Sequence, residues 1–213
     1  TSPPYDDLRE YNGYKFNYKT MLEELYRVTK EGGMVIWIVN DSTINGNESG
    51  TSFKQALYAK ELGFYLHDTM IWKKANPFNF GSNKCYIQSF EYMFCFSKGK
   101  PKTLNLIYDR LNKSYGDTIV RRTRRGDYME QDDTNINYTT KKFGKRHNVW
   151  EIPSQSGNNK HPAVFPEQLA QDHILSWSNE GDVVLDPMCG SGTTCKMAYL
   201  NNRNFIGIDI SEK

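Results

Sequence analysis

No apolar run in this sequence approaches the roughly 18–20 residues that cross a bilayer as a helix, and no charged-then-apolar leader opens it. Neither a membrane-spanning helix nor a signal peptide is therefore expected. The four cysteines, Cys85, Cys95, Cys189 and Cys195, form no Cys-x-x-Cys pair, which argues against a zinc ribbon and a disulfide framework. A reduced, cytoplasmic protein is the expectation. The four histidines, His67, His147, His161 and His173, also lack metal-ligand spacing, so no metal is expected. Net charge is only +2, and any nucleic-acid signal must come from where the charges sit.

What is present suits one well-cored domain with an excursion: 213 residues, 38% hydrophobic and 14% aromatic, too few for two full domains. The chain opens without Met on Thr1-Ser2-Pro3-Pro4-Tyr5 and ends just past an apolar run, so a piece of a longer protein is expected. Residues 18–31 carry Met21, Leu22, Leu25, Tyr26 and Val28 near helical spacing, and Gly32-Gly33 supplies the stop. The short apolar run 34–40 predicts a strand buried on both faces, and 41–50 a mobile loop. A second amphipathic helix is predicted over 53–64, with strands over 66–74 and 90–99. From about 101 to 150 the pattern is polar and shows no period. A helix over 165–178, a strand over 182–187, a helix from Thr193 and a strand over 204–210 complete the chain. Alternating apolar strands and helices predict an α/β fold with a doubly wound, mostly parallel sheet, interrupted by a polar insertion.

Between a predicted strand and helix stands Asp186-Pro187-Met188-Cys189-Gly190-Ser191-Gly192-Thr193-Thr194. Gly190 and Gly192 allow a sharp turn and close approach to a ligand. The helix amides beyond them offer donors to a carboxylate or hydroxyl. Asp209 follows at the end of the next strand, 23 residues after Asp186, where an acid is placed to accept hydrogen bonds from ribose hydroxyls. The spacing is Gly-x-Gly without the third glycine of a dinucleotide fingerprint, and the Gly-Lys-Ser/Thr of a P-loop is missing. A bare Gly-x-Gly is commonly just a tight turn. Here the flanking strands, the helix and Asp209 favour nucleoside binding.

The second feature is Ser2-Pro3-Pro4-Tyr5. Two prolines fix two φ angles and remove two backbone donors, and the residue before them is pushed to an extended conformation. The result is a stiff loop rich in acceptors, flanked by the Ser2 hydroxyl and the Tyr5 ring. An amino group finds acceptors there, and Tyr5 is suited to stack a flat base at roughly 1–3 kcal/mol. By itself a Pro-Pro pair is a rigid turn; the glycine loop downstream gives it chemical meaning.

These residues carry a family resemblance. Thr1–Tyr5, the helix and Gly-Gly strand of 18–40, Glu91–Gly99, Val149–Pro153, His161–Leu169 and Asp186–Thr193 together resemble the amino-group DNA methyltransferases. The catalytic segment first and the cofactor segment last is the permuted order of their β group. The resemblance covers nearly the whole chain outside about 101–147. It implies S-adenosylmethionine as cofactor and double-stranded DNA as partner, with a homodimer and a cognate restriction endonuclease also within the family's range. It implies that Asp186, Pro187, Gly190, Gly192 and Thr193 line the methionine side of the cofactor pocket and Asp209 the ribose side. The segment His161, Pro162 and Phe165 would close over the cofactor, and Ser2, Pro3, Pro4 and Tyr5 would hold a flipped base. The organisation implied is a catalytic half over 1–100, a target-recognition insertion over 101–150 and a cofactor-binding half over 151–213. The family also expects a strand leading into Ser-Pro-Pro-Tyr.

A base amine is a poor nucleophile because its lone pair is delocalised into the ring. Accepting its hydrogens at Ser2 Oγ and the Pro3 carbonyl would localise that lone pair, and positioning would do the rest. C5-cytosine methylation instead needs a Pro-Cys pair, and no proline directly precedes any of the four cysteines. The target nitrogen lies inside the duplex, so the base must leave the stack. In the family that the sequence resembles, Ser at the first motif position leans toward cytosine N4 and Asp or Asn toward adenine N6, so the resemblance favours N4. A protein-glutamine or RNA methyltransferase would place its Pro-Pro-Tyr loop after the cofactor loop; the order here opposes that. A non-catalytic DNA-binding fragment is the remaining alternative.

Residues 121–146 hold eight basic side chains against four acidic ones, a local net of +4. Arg121, Arg122, Arg124, Arg125, Lys141 and Lys142 are the candidate DNA contacts, to phosphates or guanine edges. A charge run is ordinarily a solvated loop; its place in the family's recognition insert favours DNA. Tyr11, Tyr14, Phe16 and Tyr18 follow the catalytic loop and would serve equally as pocket wall or as packing.

Overall fold

The computed structural model describes residues 1–4, 16–77, 86–125, 130–155 and 166–210. Tyr5, Tyr11, Tyr14, His161, Pro162 and Phe165 lie outside the described residues. In chain order the elements are α1 (Tyr18–Val28), β1 (Met34–Val39), β2 (Thr43–Ile44), β3 (Asn47–Glu48), α2 (Thr51–Glu61), β4 (Phe64–Lys74) and β5 (Phe90–Lys98). Then follow β6 (Arg110–Leu111), β7 (Thr118–Arg125), β8 (Glu130–Thr139), β9 (Phe143–Gly144), β10 (Val149–Ile152), α3 (Glu167–Trp177), β11 (Val183–Asp186), α4 (Thr193–Leu200) and β12 (Asn204–Gly207). The chain divides into two units, Thr1–Asn105 with Asn148–Lys213, and Leu106–His147.

In the first unit the strand order is β1-β5-β4-β10, and β11 pairs with β12. The class is α/β, as the alternation predicts, but the larger sheet is mixed. β5 runs antiparallel to both β1 and β4, with Trp37 opposite Phe94 and Met70 opposite Met93. β10 is parallel to β4, and β12 to β11. The apolar run of β5 reports burial on both faces, and that pattern carries no information about strand direction.

Both faces are covered. Val35, Trp37 and Val39 of β1 and Phe94 and Phe96 of β5 pack with Leu22, Leu25, Ala56 and Ala59 of α1 and α2. The alternate residues Ile38, Met93 and Cys95 turn to the opposite face, with Met70, Trp72, Trp150 and Leu169 of α3. Burying a side chain such as Leu22 contributes about 1.5–3 kcal/mol. Two buried indoles are hydrogen-bonded: Trp37 Nε1 ties β1 to α2 by donating to Gln55 Oε1 at 2.7 Å, and Trp72 Nε1 ties β4 to β10 within the sheet by donating to the Ile152 carbonyl at 2.8 Å. On the far side α3 and α4 share Ala170, Ile174, Met197 and Ala198, with Val184 of β11 packed against them. Leu185 and Met188 reach the first core instead, so β11 too is packed on two faces.

Asn17 starts α1 by accepting from the Lys19 and Thr20 amides at 3.1 and 3.4 Å. Gly32 makes the turn into β1 at φ 80°, and a Cβ there would stand 2.4 Å from Lys102 Cγ, so conformation and space both demand glycine. The 41–50 segment, expected as a loop, is instead a small hairpin of β2 and β3 closed by Asn45-Gly46 at φ 52° and 79°. Two residues at positive φ are the turn that matches strand twist, and strands of two residues leave no periodicity to read. Phe16 stacks on Trp37 at 6.3 Å between ring centroids and Tyr18 meets Tyr58 edge-on at 6.0 Å, so these two aromatics are packing residues.

The second unit consists of antiparallel pairs where the sequence shows no period. β6 pairs with β9, and β7 with β8, placing Arg125 opposite Glu130 and Thr123 opposite Asp132. The register breaks between Arg121 and Thr123, as at a bulge. Both long strands are rich in polar and charged residues, so no apolar face alternates along them. Arg146 forms an ion pair with Asp109, its Nε donating at 2.9 Å, and the guanidinium holds the Asp109 carboxyl below its usual range. One of the eight basic side chains counted above is thereby matched inside the unit.

Candidate functional site

Thr1 ties the two sheets of the first unit together. Its nitrogen donates to the Ile36 carbonyl at 3.0 Å, and its carbonyl accepts from the Ile38 amide at 3.1 Å, the alternation of a parallel pairing with β1. Its hydroxyl donates to Asp186 Oδ1 at 2.7 Å, at the carboxyl end of β11. Ser2, Pro3 and Pro4 therefore begin where the carboxyl ends of β1 and β11 approach each other. Ligands in α/β sheets bind in that crevice. Pro3 is buried, while Ser2 and Pro4 are half-buried.

Asp186 is 5% exposed, and its Oδ1 also accepts from the Met188 amide at 3.2 Å. Burial pushes its carboxyl up, while hydrogen bonds from Thr194, Thr1 and Met188 favour the charged form and pull it down. Past Pro187 the loop is pinned at both ends: the Cys189 amide donates to the Ile208 carbonyl at 2.9 Å, and the Gly192 amide to the Cys189 carbonyl at 2.7 Å. Gly190 and Gly192 lie at φ 51° and 82°, and a Cβ on either would meet nothing within 4 Å. Their glycines serve the backbone turn and leave open space over the loop. Gly192 precedes α4 without a side-chain cap, so the first turn from Thr193 presents amides to a ligand. Asp209 comes to this loop from the end of β12, where its Oδ2 accepts from the Gly190 amide at 2.9 Å.

A buried polar cluster at the end of β1 escapes the sequence reading. Asn40, Asp41 and Ser42 are 8%, 5% and 4% exposed. Asn40 Nδ2 donates to the Phe90 carbonyl at 3.2 Å, and its Oδ1 accepts from Gln88 Nε2 and the Asp41 amide, both at 2.9 Å. Asp41 Oδ1 accepts from Ser49 Oγ at 3.1 Å and the Ser52 amide at 2.9 Å, and its Oδ2 from Ser52 Oγ. Asp41 thus caps α2, whose own cap, Gly50, has no side chain to offer. The signal was an acid just beyond a buried strand, ahead of a helix with no capping residue. Nearby, Lys74 Nζ lies 2.6 Å from Glu91 Oε1, a pair with Glu91 only 6% exposed. Asn76 Oδ1 accepts from the Ser154 amide and hydroxyl, both at 2.9 Å, joining the segment after β4 to the segment after β10.

Among the candidate residues, Thr1–Pro4, Asp186–Thr193 and Asp209 come together in this unit. Tyr5, His161, Pro162 and Phe165 are outside the described residues. Arg121, Arg122, Arg124 and Arg125 lie on β7 of the second unit, and Lys141 and Lys142 are exposed after β8. His173 is a core residue, 4.5 Å from the Trp150 ring and accepting from Trp177 Nε1 at 3.2 Å. Among the described residues no group of His, Cys, Asp and Glu is arranged to hold a metal, and no helix is long and apolar enough to cross a membrane.

A family model described as DNA methylase matches residues 1–213. The orphan methyltransferase M.BamHII of Bacillus amyloliquefaciens is 55% identical over 226 residues, covering 100% of this chain and 83% of that protein. The type II methyltransferase M.HpaI of Haemophilus parainfluenzae is 30% identical over 227 residues, covering 100% of this chain and 63% of the relative. Two solved structures share the fold. The cytosine-N4-specific PvuII DNA methyltransferase superposes with a TM-score of 0.65 at 18% identity, over 99% of this chain and 73% of that one. The complex of M1.HpyAVI with S-adenosylmethionine gives 0.62 at 23% identity, over 100% and 81%. A full-length family match, carried by a glycine loop and a Ser-Pro-Pro segment joined through Thr1 and Asp186, places the chain in the DNA methylase family, the S-adenosylmethionine-dependent DNA methyltransferases.

Proposed function

We propose that this chain methylates an exocyclic amino nitrogen of a flipped base in double-stranded DNA, cytosine N4 in preference to adenine N6. The observation that carries the proposal is the bond from Thr1 to Asp186, which sets Ser2-Pro3-Pro4 beside the glycine loop. Ser2 Oγ and the Pro3 carbonyl accept the amine hydrogens and localise the lone pair on nitrogen. Tyr5 stacks the extruded base. The open space over Gly190 and Gly192, the buried Asp186 below and the amides at the start of α4 suit a zwitterionic nucleoside ligand. In this reading Asp186, Pro187, Gly190, Gly192 and Thr193 hold S-adenosylmethionine on its methionine side and Asp209 on its ribose side, while His161, Pro162 and Phe165 close over it. The bound cofactor supplies a methyl group already activated on sulfonium, so the residues here need only orient and desolvate.

Arg121, Arg122, Arg124, Arg125, Lys141 and Lys142 contact the duplex, mostly through phosphates. The preference for cytosine rests on Ser2 at the first motif position. Mass spectrometry of nucleosides from DNA treated with protein and cofactor tests it directly. N4-methylcytosine is expected; N6-methyladenine would overturn the base preference and keep the mechanism. Cofactor binding with no methylated nucleoside would mark the chain as a non-catalytic binding module.

A further inference from the structure

Two thiols lie against the glycine loop, and neither has a part in the chemistry above. Cys189 and Cys195 bracket Gly190–Thr194, and their sulfurs converge on Gly207 of β12. A Cβ there would stand 2.6 Å from Cys195 Sγ and 3.1 Å from Cys189 Sγ. The two sulfurs thus face the same point of β12 from either side of the glycine turn. Both are half-buried free thiols, whereas Cys95 is fully buried in the sheet core with its sulfur against Met70 Sδ at 3.4 Å.

We infer that Cys189 and Cys195 are a redox-active dithiol whose oxidation to a disulfide by a hydroperoxide distorts the cofactor loop and weakens cofactor binding. The second half rests on the reading of Asp186–Thr193 as the cofactor loop. A disulfide holds its sulfurs at about 2.05 Å, closer than two reduced thiols can stand. Closing it draws Cys189 toward the first turn of α4 and tightens a ring that contains Gly190 and Gly192. Both already lie at positive φ, where small displacements re-aim the amides.

The chemistry balances with the peroxide as the only co-reactant. Either sulfur can open the sequence; with Cys189, on the loop, as the first to react, its thiolate takes one peroxide oxygen, the O–O bond breaks, and one water leaves as the sulfenic acid forms. The Cys195 sulfur then attacks that sulfur, the S–O bond breaks, and the departing hydroxyl leaves as a second water with the Cys195 proton. Two thiols are oxidised and one peroxide is reduced to two waters. Burial raises the pKa of both thiols, and the nearby Asp186 and Asp209 carboxylates raise Cys189 further, so the reaction speeds up as pH rises.

The test treats the whole chain with hydrogen peroxide, maps unreduced peptides by mass spectrometry, and measures S-adenosylmethionine binding by calorimetry. A peptide containing both cysteines, two hydrogens lighter, is expected, with affinity about tenfold weaker and restored by dithiothreitol. Cys195→Ser should bind cofactor as the parent does and keep that affinity after peroxide. Sulfinic acid on Cys189 with Cys195 left as a thiol would overturn the dithiol. A bridged peptide with unchanged affinity would overturn its effect on the loop. Failure of the reduced parent to bind cofactor would count against the loop assignment alone, since the peptide mass still decides the bridge.

Discussion

The hydroxyl of Thr1 donates to Asp186 Oδ1 at 2.7 Å, joining two residues 185 positions apart in the chain. The Ser2-Pro3-Pro4 segment and the Asp186–Thr193 loop are thereby set side by side. Thr1→Val keeps the shape and the two backbone bonds to β1 while removing this donor. A lost hydrogen bond to a charged group costs about 1.5–3 kcal/mol. The expected result is a fall in turnover of about tenfold or more, with cofactor affinity changed only a few-fold. An unaltered kcat for tritium transfer to DNA would dismiss the positioning role.

Asp186 also predicts an acid limit. Its folded pKa is depressed, so the stability it contributes is fully present above the unfolded value of about 3.9 and is lost as pH falls through the lower folded value. Urea midpoints measured across acidic pH should drop there in the parent, and Asp186→Asn should lack that component. Identical acid profiles for the two would contradict the assignment.

Ser2→Ala and Tyr5→Ala should abolish methyl transfer while leaving cofactor affinity within a few-fold, because both are assigned to the base. Calorimetry against single-turnover rates separates the two effects. Equal loss of cofactor binding in both variants would sink the assignment.

Asp209 has a double task in this arrangement, since its Oδ2 already accepts from the Gly190 amide. Asp209→Ala should weaken cofactor binding by about 1.5–3 kcal/mol. Asp209→Asn retains an acceptor for the loop amide and should lose less. Unchanged affinity in both would refute the ribose role.

Asp41 makes a prediction about stability. Asp41→Ala leaves the Ser52 amide and two serine hydroxyls without this acceptor, and removes the carboxylate that caps the second residue of α2. A loss of about 1–3 kcal/mol is expected in denaturant unfolding. Asp41→Asn should lose less, and a neutral Ala variant would mean that the cluster is incidental.

Arg124→Ala combined with Arg125→Ala should weaken DNA binding and flatten its dependence on salt, because each phosphate contact releases counterions. An unaltered slope would return the cluster to a solvated role. Arg125 also stands opposite Glu130 in the ribbon, so circular dichroism should accompany the titration.

What the sequence determined by itself is the local structure wherever one periodicity dominates. The helices α1, α2, α3 and α4 and the strands β1, β4, β5 and β11 follow from apolar spacing and glycine stops, because burial on one face or two is written directly into residue order. The strand β12 follows from its apolar run although its residues stay exposed. The stiffness of Ser2-Pro3-Pro4 and the turns at Gly190 and Gly192 were legible too, since backbone restriction belongs to the residue type. Tertiary structure alone decided the rest. The reversed direction of β5, the hairpin at Asn45-Gly46, the polar ribbon of β7 and β8, and the buried Asp41 depend on partners distant in sequence or on strands lacking an apolar face. The bond from Thr1 to Asp186 is the clearest case, because two polar residues 185 positions apart carry no periodicity, and only the packed sheets bring their oxygens within 2.7 Å.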